Sequence, residues 1–146
     1  MMLRRILLFI LLFSAASCFA LKPLKRIGQL RNGDLIFHIA TTPNAITDVT
    51  LQEHGLQIDH VAIFFSDHGN PYVVQSIHSG TVVTPLDSLL QEEGSFIVAR
   101  IQVPFSPQQS INNALNYVGR PYDFLFLPDN DAIYCSELVL LSFVDR

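Results

Sequence analysis

An apolar segment near the middle of the chain reads Ile58-Asp59-His60-Val61-Ala62-Ile63-Phe64-Phe65. Its last five residues are apolar and mostly branched or aromatic, which favours a buried β-strand. The polar pair Asp59-His60 stands near the start of this strand, and burying such a pair without partners costs free energy. We therefore expect a core strand that holds a histidine at a rigid position.

The flanking segments predict an α+β domain. Four more segments have strand character: residues 35–39, 72–77, 81–83 and 95–103. The second and third of these are expected to pair as a hairpin across His78-Ser79-Gly80. Four helices are predicted: 45–53, 85–92 with Thr84 as N-cap and Pro85 in the first turn, 107–118 after the cap Ser106, and one beginning at Tyr134 or Cys135. Because the strands cluster between the helices, alternating βαβ units are not expected.

The N-terminus has the three-part layout of a secretory signal. Arg4 and Arg5 precede an uninterrupted apolar run over 6–13, and mostly small residues follow up to Ala20. We expect residues 1–20 to be a signal peptide and residues 21–146 to form one domain of an exported protein, periplasmic or secreted. Two alternatives remain open from the sequence: an uncleaved membrane anchor, and lipidation of Cys18 as in a lipoprotein.

The charge balance limits the classes of partner. The chain has 9 basic and 13 acidic residues, and two of the basic ones lie in the leader, so the exported domain carries a net charge of −6. This charge disfavours nucleic acid and anionic lipid surfaces. We expect a small amide, peptide or lipid substrate and no cofactor. Association with cell wall or membrane would come through the substrate or through Cys18.

Cys135 is the single cysteine of residues 21–146, so it cannot form a disulfide within that domain. In the first turn of a helix, unpaired N–H groups and the helix dipole lower the pKa of a thiol and can also bind an oxyanion. We therefore expect a reactive thiolate with the backbone N–H groups of Cys135 and Ser136 as oxyanion donors. The alternative is an inert buried cysteine, which is common.

A cysteine nucleophile needs a base, and His60 is the best placed of the five histidines. His54, His68 and His78 lie close to glycine in turn-like sequence. His38 fits a core histidine whose ring nitrogens are hydrogen-bonded within the protein. On the hairpin after the His60 strand, Gln75 is the polar side chain expected to face inward, where an amide orients an imidazole without supplying charge. The alternatives are a core histidine at 60 and an exposed strand residue at 75.

The sequence gives no support for a metal site. It contains no H-x-x-x-H, H-x-H or C-x-x-C pair, and Asp129-Asn130-Asp131 is too short for an EF-hand loop. No glycine-rich phosphate loop is present either. We therefore expect no metal.

Five short motifs in order carry a family resemblance: Gly33-Asp34-Leu35-Ile36-Phe37, Asp59-His60-Val61-Ala62-Ile63, Thr84-Pro85-Leu86-Asp87, Gly119-Arg120-Pro121-Tyr122-Asp123 and Tyr134-Cys135-Ser136-Glu137-Leu138-Val139. The series resembles the circularly permuted NlpC/P60 papain-like amidases of the YaeF/YiiX type, in which the histidine precedes the cysteine. The loop over 126–130 is similar to members from Bacteroidetes.

The resemblance implies a small antiparallel sheet or barrel packed against a helix that bears the nucleophile. It implies Cys135 as nucleophile and His60 as general base, and it assigns the third position, usually an acid in this family, to Gln75. We also expect Tyr122, Tyr134 and Asp59, which lie in or beside these motifs, to face the substrate. The chain stops eleven residues after Cys135, so we expect a C-terminally truncated domain.

The sequence thus predicts an exported cysteine hydrolase that cleaves an amide bond, in a cell-wall peptide or a lipid or acyl amide, through a thioester on Cys135. Two alternatives use the same cleft. One is a catalytically weak or inactive binding domain, which the uncharged Gln75 favours. The other is a thiol acyltransferase.

Overall fold

The computed structural model describes residues 22–23, 29–49, 55–127 and 130–143. Within these ranges the strands are β1 (Lys22–Pro23), β2 (Leu35–Ile39), β3 (Ile58–Asp67), β4 (Asn70–Ile77), β5 (Gly80–Pro85) and β6 (Ser95–Ala99). They form one antiparallel sheet in the order β1-β6-β2-β3-β4-β5. The predicted α+β class is confirmed.

The described helices are α1 (Ala45–Val49), α2 (Leu86–Leu89), α3 (Pro107–Leu115) and α4 (Cys135–Phe143). Successive side chains of β3 point to opposite faces of the sheet, and both faces are covered. Val61 and Ile63 pack with residues of α3 and α4, whereas Ala62 and Phe64 pack with α2. The strand that carries His60 is therefore buried on both sides.

Four predicted elements end elsewhere in the structure. Strand β5 continues through Pro85, and α2 ends at Leu89 instead of residue 92; Thr84 is not its N-cap, since Pro85 holds that position. Strand β6 ends at Ala99, after which Arg100 donates two hydrogen bonds to the buried Asp34 carboxylate, each of 2.7 Å. Helix α3 is capped by Ser106 as predicted but ends at Leu115 instead of 118.

Strands β3 and β4 separate at one end. Their pairing runs from Asp67↔Asn70 to Ile63↔Val74 and stops there, although β3 extends back to Ile58 along β2 and β4 extends to Ile77 along β5. The Phe64 N–H donates to the carbonyl of Asp34, the residue before β2. Because the N–H groups of successive strand residues point to opposite sides, the Val61 N–H points toward β4. Val61 lies outside the β3–β4 pairing, so its N–H faces an opening between two central strands of the sheet.

The segment before α4 closes part of this opening. The Ser76 hydroxyl of β4 donates to the Ile133 carbonyl at 2.5 Å, and the Thr81 N–H of β5 donates to the Arg120 carbonyl at 2.8 Å. Gly80 has φ +109, and a Cβ there would lie 2.5 Å from that carbonyl oxygen, so this contact requires glycine. These bonds fix the position at which α4 begins.

The predicted signal peptide, residues 1–20, lies outside the described residues. Among the helices that are described, none combines the length and the apolar character needed to cross a bilayer.

Candidate active site

Cys135 is the first residue of α4, as predicted, and it is buried. Its sulfur lies at the opening between β3 and β4, where the N–H groups of Val61, Ser136 and Cys135 itself interact with it. Burial raises the pKa of the Cys135 thiol, and the Asp59 charge raises it further. The three N–H groups lower it, but by less. The predicted lowering of the thiol pKa is therefore wrong, because loss of solvent outweighs the helix N-terminus.

His60 and Gln75 meet as predicted. The Nε2 atom of His60 lies 2.7 Å from the Gln75 Oε1 atom, and Gln75 is almost fully buried. The other end of the amide donates to the Thr84 hydroxyl at 3.0 Å, so the carbonyl oxygen is the atom that faces the ring. In this arrangement Nε2–H donates, and a neutral His60 has its lone pair on Nδ1.

Sequence reasoning missed the role of Thr84, which it assigned to a helix cap. Strand periodicity was the available signal. Val82 lies opposite Gln75 in the β4–β5 pairing, and Thr84 is two residues after Val82 in the same strand. The two side chains therefore share one face of the hairpin.

Burial lowers the pKa of His60 below its ordinary value. The hydrogen bond to Gln75 and the charges of Glu92 and Asp59 raise it, but they do not compensate for burial. Because the thiol pKa is raised and the imidazole pKa is lowered, the resting pair is a neutral thiol beside a neutral imidazole.

His60 lies in the part of β3 that borders the opening, and Cys135 packs against that part. By strand alternation the His60 ring shares the face of Ala62 and Phe64, whereas Cys135 packs on the face of Val61. Among the described contacts, no hydrogen bond joins the two side chains. They are linked through Val61, which follows His60 and whose N–H interacts with the sulfur. The same segment of β3 therefore carries the base and contacts the nucleophile.

Asp59, which the sequence analysis placed on the substrate side, has both carboxylate oxygens engaged within the protein. One lies 2.6 Å from His38 Nδ1, and the other accepts from Asn44 Nδ2 at 2.7 Å. His38 Nε2 lies 2.8 Å from the Glu93 carbonyl. Burial would lower the pKa of His38, but these two acceptors and nearby acidic charges raise it. The pKa of His38 therefore lies above its ordinary value, and the contact between His38 and Asp59 links β2 to β3.

Tyr122 and Tyr134 both lie near the nucleophile. Burial, together with the charges of Cys135 and Asp123, raises the pKa of Tyr122 to about 12. Burial and the charges of Glu137, Asp123 and Cys135 also raise the pKa of Tyr134. Both phenols stay protonated at neutral pH and can donate a hydrogen bond.

The raised thiol pKa predicts slow alkylation. Cys135 should react with iodoacetamide at pH 7 more slowly than a model thiol, and the rate should climb above pH 9, because only the thiolate is nucleophilic. The measurement is a pH series of alkylation rates read by mass spectrometry, with Cys18→Ser as the background where the leader is retained. Fast alkylation at pH 6 that does not change up to pH 8 would instead show a stable thiolate.

Comparisons with known proteins identify the family of this chain. A family model described as permuted papain-like amidase enzyme, YaeF/YiiX, C92 family, matches residues 29–146. The uncharacterized protein YiiX of Escherichia coli K12 is 32% identical over 117 residues, which cover 76% of this chain and 56% of that protein. The crystal structure of metalloprotein YiiX from Escherichia coli O157:H7 has a TM-score of 0.63 at 30% identity, over 76% of this chain and 63% of that one.

The term metalloprotein applies to that relative. In the part of this chain with described coordinates, no three His, Cys, Asp or Glu side chains converge as a group that could hold a metal ion. His38 and Asp59 bind each other, and their remaining polar atoms bind Glu93 and Asn44. These residues do not fit a metal centre.

The matched region contains every motif that carried the resemblance, with His60 before Cys135. The chain spans less than two thirds of the length of either relative. The predicted papain-like architecture is confirmed, and the chain belongs to the YaeF/YiiX (C92) family of permuted papain-like amidases.

Proposed function

We propose that this protein is a cysteine hydrolase that cleaves an amide bond. The Cys135 sulfur attacks the carbonyl carbon, and the thiol proton passes to Nδ1 of His60. The N–H groups of Cys135 and Ser136 donate to the oxyanion. The amine leaves with the proton from His60, and water then releases the acid from the thioester.

The observation that carries this proposal is the 2.7 Å contact between His60 Nε2 and Gln75 Oε1. It fixes the tautomer, so that the free lone pair of the ring belongs to Nδ1, the atom that the reaction needs. Since both partners are neutral at rest, His60 acts as a general base during the attack. A preformed ion pair is not required. In the complex with substrate, Nδ1 must reach the sulfur, and catalytic hydrogen bonds often tighten only at that stage.

The compartment and the substrate class are part of the same proposal. The leader over residues 1–20 supports export to the periplasm or the outside, where cell-wall peptides and lipid or acyl amides are available. Mass spectrometry of the protein from cells tests export. A mature chain starting near Leu21 is expected, and retention of residues 1–20 on most molecules would contradict it. A diacylglycerol mass on Cys18 would place the protein among lipoproteins.

A binding domain with little or no turnover is the second candidate, and Gln75 is the observation that favours it. An amide orients His60 but supplies no charge to stabilise the imidazolium that forms during the reaction. Burial already lowers the pKa of His60, so proton transfer from a thiol of raised pKa is uphill. Substitutions at Gln75 separate the two candidates.

Gln75→Glu should raise the pKa of His60, because a carboxylate favours the charged ring. The acid limb of kcat/KM should then move to higher pH, since His60 is a base only when it is unprotonated. Turnover above that limb should increase. Gln75→Ala should reduce turnover roughly tenfold, about 1.4 kcal/mol in the transition state, because the ring loses its acceptor. The measurement is a pH series of kcat/KM on an amide substrate.

The matched control is Gln108→Glu, which adds the same charge at an exposed position of α3 and should leave the profile unchanged. If Gln75→Glu and Gln75→Ala both leave ligand binding intact while no variant turns over any amide, the binding domain is the better assignment.

A further inference from the structure

Four consecutive large apolar side chains are exposed beside the candidate site. Phe124, Leu125, Phe126 and Leu127 keep 62%, 74%, 43% and 50% of their accessible surface. A run of this kind is unusual on a soluble domain and marks a surface that contacts something apolar.

The loop is ordered by a buried carboxylate. Asp123 accepts from the N–H groups of Leu125 and Leu127 at 2.8 and 2.7 Å and from Asn130 Nδ2 at 3.1 Å. Burial would raise the pKa of Asp123, but these donors lower it below the ordinary value, so the group stays ionised. Phe126 has φ +53, which is uncommon for an aromatic residue. The loop N–H groups thus donate to the buried Asp123 carboxylate, and the apolar side chains remain exposed.

The exposed loop is continuous with the nucleophile. The Phe126 ring lies 5.2 Å from the ring of Tyr134, the residue before Cys135. Tyr122 joins the same group, at 4.9 Å from Phe124 and 6.5 Å from Phe126. We call this surface the aromatic shelf, which consists of Tyr122, Phe124, Leu125, Phe126, Leu127 and Tyr134.

We propose that the aromatic shelf binds the hydrocarbon chain of the substrate, which makes the substrate a long-chain N-acyl amide. This inference rests on the proposed function, because the shelf leads to Cys135 and its occupant must be joined to the scissile carbonyl. A cell-wall peptide fits poorly, since its charged groups would lose water against apolar rings. Arg120, two residues before Tyr122 in sequence, is engaged with Asp131 at 2.8 Å, and the Asp123 carboxylate accepts from N–H groups of the loop.

The first test is equilibrium binding, which needs no turnover. The full chain is titrated with a series of carboxylic acids that carry a dansyl fluorophore and have between four and eleven chain carbons. Full burial of a methylene would raise affinity roughly fourfold. With half of that free energy, affinity should rise by about twofold for each added methylene. Leu125→Ser should flatten this dependence. Leu140→Ser is the matched control, because Leu140 is 61% exposed on α4 and lies outside the shelf; it should leave the dependence unchanged.

Three results would overturn the proposal: affinity independent of chain length, equal losses in Leu125→Ser and Leu140→Ser, or a shelf variant that changes only self-association or vesicle binding. A second test compares hydrolysis of short and long N-acyl amides. Hydrolysis without any chain-length dependence would reject the shelf and leave the hydrolase. Chain-length-dependent binding without hydrolysis would retain the shelf as an acyl-binding surface and reject the hydrolase.

Discussion

Cys135→Ala is expected to reduce amide hydrolysis by roughly 10⁴-fold or more, the scale on which loss of a covalent nucleophile acts. The sulfur is the atom that forms the thioester, and no other cysteine is present in residues 21–146. The measurement is kcat/KM on a fluorogenic N-acyl amide for wild type and variant, with binding of a dansyl acyl chain as a second readout. Binding should persist, because the aromatic shelf does not depend on the sulfur.

Cys18→Ser is the matched control for that substitution, since Cys18 lies in the predicted leader and takes no part in the reaction. It should leave kcat/KM unchanged. If Cys135→Ala keeps wild-type activity, another group carries the chemistry and the assignment of the nucleophile is wrong.

His60→Ala is expected to reduce kcat/KM by about 10² to 10⁴-fold, the usual contribution of a general base. The loss should shrink at high pH, where the thiol ionises without help. For the wild type, the acid limb of the pH profile should lie below pH 6.5, because burial lowers the pKa of His60. The measurement is a pH series of kcat/KM for both proteins.

His68→Ala is the matched control, because this histidine lies in the β3–β4 turn with 91% of its side chain exposed. It should not change the rate. A wild-type acid limb well above pH 6.5 would show that His60 is charged in the free protein, which contradicts the neutral pair inferred from its burial.

Much of the fold is readable from local sequence. The apolar run after His60 predicts β3, Ser106-Pro107 predicts the start of α3, and Cys135 begins α4 as the sequence predicts. These predictions agree with the structure because apolar periodicity and capping involve residues that are close in sequence. The inward orientation of Gln75 also follows from strand alternation.

The remaining features depend on contacts between distant segments. Thr84 resembles a helix cap, but it lies in β5, where its hydroxyl receives the Gln75 amide. Asp59 stands beside His60 in sequence yet pairs with His38, 21 residues away. The raised pKa of Cys135 results from burial against β3, and the helix start alone suggested the opposite shift. Tertiary packing decides each of these outcomes.

The most direct test of the account is the mass of the intact protein during turnover. Purified mature protein is mixed with N-acyl amides and muropeptides, quenched in acid and measured at once. We predict an adduct equal to the acyl group, located on the peptide that contains Cys135 and missing in Cys135→Ala. Hydrolysis of an amide with no adduct on Cys135 under any quench condition, and with equal rates in Cys135→Ala, would contradict the thioester mechanism.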